Sequence, residues 1–354
     1  MKPPAISKQR LHSQHINGDQ FKTVKELVQW MGAIQAQDYT MAKYAIGVRL
    51  KNATNEIVED AINHAEIIRT HVLRPTWHFV AAEDVRWMLE LTAKNLNKAL
   101  SSNNKRLELD EKTFKKANTI IEKLLRDGKH LTRKEIMQAL EKKGIKTGDL
   151  RASHIMFRAE TDLVVCNGIK SDKQFTYALF EERVPLSKRL TNEEALAQLA
   201  HRYFSSHGPA TVKDFSWWSG LSLKDATTGL ESFKSKLRFE KYGDDVYWFS
   251  EQTVSKKNSS ITLLPAFDEF LISYKSREIS LDRKHAPRAF TNNGIFNPLI
   301  VHNAKIIGIW KPRYKKEVLI TAQFFEKQTF RQEQLFERAL KQLELFMQKR
   351  AKAL

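Results

Sequence analysis

What most restricts the folding of this chain is one order of elements, helices followed by two short strands and a turn, that comes back three times. Helical periodicity covers residues 6–17, 23–34, 39–50 and 54–65; then 67–73 and 76–80 read as strands around Arg74-Pro75, and 82–92 as a helix. Val24, Leu27, Val28, Met31 and Ile34 share one face of the second helix, and Thr23 with Glu26 fits a capping box. From about 110 to 180 the order recurs. Helix 111–126 stops at Asp127-Gly128, Thr132 caps helix 133–143, and a third helix covers 147–161. Strands 163–166 and 175–179 follow, with the turn Asn167-Gly168 between them. From about 191 to 249 Thr191 opens a helix to Phe204, Thr211 caps helix 212–219, and Gly220-Leu221-Ser222 turns into helix 223–234. Strands 237–241 and 246–249 close that copy around Gly243-Asp244. Helices backed by a β-ribbon are the pattern of a winged helix.

Beyond the polar Ser255-Lys256-Lys257-Asn258-Ser259-Ser260, read as a linker, the pattern changes to strands at 261–264, 296–301, 305–310 and 317–324. A closing helix over 331–350 carries Leu335, Phe336, Leu340, Leu343 and Phe346 at helical spacing. The predicted fold class is α+β and mainly helical. It comprises three tandem winged-helix modules, 1–100, 101–186 and 187–254, and a small C-terminal β domain with a terminal helix, 255–354.

Charge narrows the partner. With 59 basic against 41 acidic residues the net charge is +18, which suits a polyanion, either nucleic acid or an anionic membrane surface. No run of about 18 apolar residues is present to span a bilayer, and the basic start Met1–Arg10 lacks the apolar core of a signal peptide. Cys166 is the single cysteine, which excludes disulfides within the chain and Cys-rich zinc sites. A monomer binding double-stranded DNA is expected, with no cofactor, metal or membrane. Three internal copies leave little need for a second chain.

The candidate chemistry lies in Trp30-Met31-Gly32-Ala33-Ile34-Gln35-Ala36-Gln37-Asp38-Tyr39. On one helix Gln35 and Gln37 would face about 200° apart, whereas in an extended joint they point to the same side. Asp38 and Thr40 both suit the N-cap of the next helix, so the chain breaks at 35–38 and presents two neutral amides together. For DNA contact the candidates are Arg151, His154 and Arg158 on one third helix, Lys213 and Lys224 in the last copy, and His78 on the first hairpin. A structural role explains His78 equally well. Of the consecutive Trp217 and Trp218, one belongs in a core. His64, His71 and His78 straddle a helix and two strands and do not converge on a metal. Asp268 and Glu269, adjacent on what reads as an extended segment, face opposite ways and are assigned to stabilising the β unit. Neither a Gly-rich phosphate loop nor a Gly-x-Ser-x-Gly elbow occurs.

Three collinear stretches carry a resemblance: Ile34-Gln35-Ala36-Gln37-Asp38; Arg69-Thr70 with Leu73-Arg74-Pro75-Thr76-Trp77-His78; and Leu263-Leu264-Pro265-Ala266-Phe267-Asp268-Glu269-Phe270 with Tyr274-Lys275. Together with Gly308-Ile309-Trp310 they make the chain resemble the bacterial winged-helix alkylpurine DNA glycosylases, a family linked to azinomycin resistance and interstrand-crosslink unhooking. The resemblance covers nearly the whole chain. It implies three winged helices and a C-terminal β domain in a C-shape around duplex DNA, in a cytoplasmic protein acting at the nucleoid. The family's catalytic signature, Gln, an aliphatic residue, then Gln or Asp, falls on Gln35-Ala36-Gln37, with Ala36 smaller than the usual middle residue. An N7-alkylated purine is already cationic and leaves as a neutral base, so no general acid is required. Two non-titrating carbonyl dipoles then suffice to place a water and favour the oxocarbenium-like sugar. The alternative is a winged-helix DNA-binding regulator without chemistry.

Overall fold

The computed structural model of the chain describes residues 3–16, 18, 20–171, 174–187, 189–250 and 259–353. Its first elements are α1 (Pro3–Ser13), α2 (Val24–Met31), β1 (Ile34–Gln35), α3 (Tyr39–Gly47), α4 (Asn55–Asn63), β2 (Ile67–His71), β3 (Trp77–Ala81) and α5 (Ala82–Arg106). Thr23 and Glu26 form the complete capping box, and Gly32 at φ 75° takes the chain out of α2. That exit comes three residues before periodicity would end the helix. The freed residues join β2 and β3 as a third strand, in the order β1-β3-β2. Ile34 pairs with Phe79 and Gln35 with His78.

The second copy comprises α6 (Glu111–Leu125), β4 (Leu131–Thr132), α7 (Arg133–Lys142), α8 (Arg151–Thr161), β5 (Val165–Asn167), β6 (Thr176–Leu179) and the short α9 (Phe180–Arg183). Its sheet has the order β4-β6-β5. The third comprises α10 (Asn192–Ser206), α11 (Val212–Ser219), α12 (Leu223–Glu231) and the hairpin β7 (Arg238–Tyr242) to β8 (Asp245–Phe249). Thr132, Thr191 and Thr211 each cap the helix the sequence assigns to them.

The C-terminal part comprises β9 (Ile261–Leu264), α13 (Glu269–Ile272), α14 (Ala286–Ala289), β10 (Leu299–His302), β11 (Lys305–Tyr314), β12 (Val318–Phe324), α15 (Phe330–Met347) and β13 (Ala351–Ala353). Five strands lie in the order β13-β12-β11-β10-β9. The architecture is thus mixed, helices with several small sheets that are antiparallel except where β13 runs parallel to β12. Two expectations are corrected. Helix α5 runs 25 residues rather than stopping at Thr92. Asp268 and Glu269 do not share an extended segment: Asp268 is the N-cap of α13 and accepts from Phe270 N–H, and Glu269 is the first residue of that helix. Of the predicted linker, residues 255–258 lie outside the described residues.

Apolar side chains do not segregate copy by copy. Leu27, Met41 and Tyr44 pack with Leu263, Trp310 and Phe346 in one core, so the N-terminal helices sit on the C-terminal sheet and α15. At that contact a Cβ on Gly47 would run into the Phe346 ring, so only glycine fits. Val80, Val85 and Met88 pack instead with Leu199, Phe215 and Trp218 of the third copy. The second copy keeps its own core around Phe114, Ile136 and Ile155.

A buried ion pair reinforces the first of these contacts. Arg49 grips Asp268 with two hydrogen bonds of 2.8 Å and reaches Gln14 at 2.9 Å, and both charged side chains are fully shielded from solvent. Asp268→Asn would leave Arg49 buried without a counter-charge. A loss of about 3–5 kcal/mol in urea unfolding is expected; a change under about 1 kcal/mol would show that the pair contributes little.

Candidate active site

The two-residue strand β1 places Gln35 inside the protein, so its backbone groups and those of Ala36 need partners. Gln35 N–H donates to Glu269 Oε1 at 2.7 Å. Ala36 N–H donates to the Trp77 carbonyl at 2.6 Å, and the Ala36 carbonyl accepts from Arg69 Nε at 3.1 Å and Nη2 at 2.9 Å. A small residue suits this spot, because Ala36 is fully buried.

The two amides differ sharply in exposure. Gln35 retains 4% of its surface, and its Oε1 accepts from Arg74 Nη2 at 3.1 Å. Gln37 is exposed, with Oε1 3.5 Å from the Trp77 backbone nitrogen. Both therefore meet the tip of the β2–β3 hairpin, between residues 74 and 77. Asp38, next along, caps α3 by accepting from Met41 N–H at 3.1 Å.

Behind Gln35 lies a buried polar cluster. Glu269, fully buried, accepts from Trp218 Nε1 at 3.2 Å and from Ser273 Oγ, and lies 3.6 Å from His207 Nε2. Burial opposes its ionisation, but the nearby His207, the Ser273 hydroxyl bond and the Arg74 charge outweigh that and bring its pKa down to about 2. His207 is pushed the other way, below the usual histidine value, by its own burial. His78 is fully buried too; burial, then the Arg74 charge, lower it to about 3. Its Nδ1 bonds the Thr76 carbonyl at 2.9 Å, which makes Nδ1 the protonated nitrogen of a neutral ring. His78 Nε2, Arg74 Nε and Thr76 Oγ1 are buried without a hydrogen-bond partner.

The proposed DNA contacts are scattered. His78, expected at the duplex, lies inside the protein opposite Gln35, because β3 is covered on both faces and pairs with β1 on one edge and β2 on the other. Arg158 bonds Glu111 at 2.7 and 2.8 Å and Asp162 at 2.8 and 2.9 Å. Arg151 donates to the Lys146 carbonyl at 2.8 Å and to the Leu107 carbonyl, and His154 meets Asn104 at 2.6 Å. Lys213 and Lys224 are on the outside, Lys213 with a loose 3.5 Å approach to Asp245. Trp218 is core, while Trp217 remains 41% exposed. Arg69 and Arg74, which grip the glutamine stretch, were given no role from sequence, and Glu269 was assigned to the β unit rather than to Gln35. An acidic pair directly before the apolar run Phe270-Leu271-Ile272 was the available sign of a capped helix. Among the described residues no group of three or more His, Cys, Asp or Glu converges as a metal site.

Three comparisons with known proteins agree. Residues 28–346 match the family described as DNA glycosylase AlkZ-like. An interstrand DNA cross-link repair glycosylase of Streptomyces sahachiroi is 22% identical over 332 residues, 85% of each chain. The solved structure of the DNA glycosylase AlkZ of Streptomyces sahachiroi superposes with a TM-score of 0.82 at 16% identity, covering 100% of both chains.

The neutral His78 has a consequence for stability. Between its folded value near 3 and the ordinary 6.5, the unfolded ring takes up a proton that the folded ring refuses, so stability falls as pH drops. Urea unfolding between about pH 7 and pH 5 should show this loss, up to about 1.4 kcal/mol per pH unit from this ring. His78→Gln should flatten the slope. Equal slopes in both proteins would mean that His78 takes up its proton in the folded state.

Proposed function

This chain belongs to the AlkZ-like family of DNA glycosylases and is a hydrolase acting on N-glycosyl bonds in DNA, and we propose that it releases N7-alkylated purines through Gln35 and Gln37. The observation that carries this reading is the pair itself: two amides meeting one hairpin tip, one buried and gripped by Arg74, the other open to solvent. Gln35 is held at its backbone by Glu269 and at its carbonyl by Arg74, so its orientation costs nothing at the moment of reaction. Gln37 is free to meet a substrate arriving from outside.

Attack runs as a hydrolysis. Water oxygen bonds to C1′ as the C1′–N9 bond breaks, and its electron pair neutralises the purinium ring. The proton of the bound water passes to solvent. Neither glutamine titrates, so the pair orients water and stabilises the cationic sugar without proton transfer. Glu269, ionised behind Gln35, offsets the Arg74 charge, which would otherwise oppose a developing sugar cation. Neutral His78 adds no further positive charge there. Orphaned polar atoms at His78, Arg74 and Thr76 mark the tip as a place suited to ordered water.

We read the three helix-and-ribbon copies as tandem winged helices over 1–100, 101–186 and 187–254, with 255–354 as the β domain. Lys213 and Lys224 present their ammonium groups to the phosphate backbone. Arg151, His154 and Arg158, already bonded within the second copy, shape its surface and contribute field more than direct bonds. The crosslink activity of the Streptomyces sahachiroi relative makes unhooking of interstrand crosslinks the natural extension of the same chemistry. A monomeric enzyme without lyase activity is the form we assign.

The test is release of 7-methylguanine from methylated duplex DNA. Gln35→Ala and Gln37→Ala should each lower the rate by about 100- to 1000-fold, with duplex affinity held and uracil left in place by the wild type. Binding without release, on alkylpurines and on crosslinks alike, would leave the regulator reading. Unchanged rates in both variants would remove the pair from the mechanism.

A further inference from the structure

Between the first hairpin and the second copy lies a cleft of about 440 Å³ lined in part by Arg69, Trp77, Arg133, Lys134, Phe175 and Tyr177. A smaller hollow of about 200 Å³ shares Trp77, Arg133 and Tyr177 with it and extends to His154. The cleft adjoins the glutamine pair. Trp77 is the residue whose N–H approaches Gln37, and Arg69 is the residue that holds the Ala36 carbonyl.

Its walls are preformed. The Arg69 guanidinium lies 4.3 Å from the Trp77 ring centroid and 5.1 Å from that of Phe175, and Tyr39 packs edge-on to Phe175 at 4.9 Å. Trp77 is backed by His71 at 4.0 Å. Phe175, although held on one side by Tyr39, leaves 45% of its surface exposed. Arg133 and Lys134 are exposed at the start of α7, where the helix end adds to their positive potential.

Aromatic faces beside cations form the chemistry that binds a single nucleotide, the base by stacking and the phosphate by charge. Size agrees, since small-molecule sites occupy about 300–1,000 Å³. Charge decides which nucleotide. An N7-alkylated purine is a cation, and Arg69, Arg133 and Lys134 would repel it. A neutral base with its anionic phosphate is attracted to the same walls. Reaching a base inside a duplex also parts it from its partner, which leaves an undamaged base in need of a new neighbour.

We propose that this cleft holds one unpaired, undamaged nucleotide from the strand opposite the lesion, its base stacked at the exposed Phe175 and its phosphate at Arg133 and Lys134. The inference rests on the DNA-directed reading above and not on the glutamine chemistry. It supplies the enzyme with a means of keeping a duplex open while Gln35 and Gln37 act on the other strand.

The test is binding to lesion-free duplexes: one fully paired, one with a single bulged nucleotide, and one with a bulged abasic site. The wild type should prefer the bulged nucleotide over the paired duplex by about fivefold or more, the effect of one stacked base. The abasic bulge should lose that preference, as should Phe175→Ala with the base present. Arg133→Ala should weaken binding to the bulged duplex more than to the paired one. Equal affinity for bulged and paired duplexes would overturn the proposal, as would an abasic bulge bound as well as the base. A preference kept by Phe175→Ala would also remove it. Base release from methylated DNA is a separate readout, so a failed glycosylase reading and a failed cleft show themselves independently.

Discussion

A helix broken inside a protein leaves backbone groups that water cannot reach, and at Gln35-Ala36 those groups set much of the architecture. Each finds a partner from a distant part of the chain: Glu269 for one N–H, Trp77 for the other, Arg69 for the carbonyl. Leaving one such group unsatisfied would cost roughly 1–3 kcal/mol. The loop that opens α13 is held to the N-terminal helices partly for this reason. Its two carboxylates divide the work, Asp268 neutralising Arg49 and Glu269 anchoring the strand. Capping geometry lets adjacent acids do this, because the N-cap and the first helical residue point to different sides.

The same arrangement yields an interior polar region with controlled charge. Arg74 and Glu269 both bond Gln35, buried His78 beside them stays neutral, and burial pushes His207 below the usual histidine value. A reaction that builds positive charge on a sugar benefits from fixed dipoles and is harmed by stray cations. Elsewhere the net charge of +18 draws in DNA, while the residues nearest the broken helix keep the local field nearly balanced. Long-range attraction and local chemistry are thus separated in space.

Much of the fold was legible because its signals are local. Threonine caps at Thr23, Thr132, Thr191 and Thr211 act within four residues, as does Gly220 at a helix end. Hairpins announced by Arg74-Pro75 and Gly243-Asp244 formed where alternation placed them. The linker composition, by contrast, said nothing of how the parts join. Which copy shares a core with which depends on side chains such as Phe346 meeting Gly47, and no window of sequence contains both.

For the glutamine stretch the division is plain. Sequence by itself determined that the helix breaks before Asp38, that Asp38 restarts it, and that two neutral amides lie at the break. Those outcomes follow from backbone preferences read over a few residues. The exit already at Gly32 was decided by the pairing of Ile34 and Gln35 with β3. Tertiary structure alone decided that Gln35 is buried and Gln37 exposed, that His78 lies inside the protein, and that Arg158 is committed to Glu111 and Asp162. It also brought Glu269 to Gln35 across 234 residues. Partner choice for a buried polar group is made by whatever the packed topology delivers within about 3 Å, and local propensity carries no record of that.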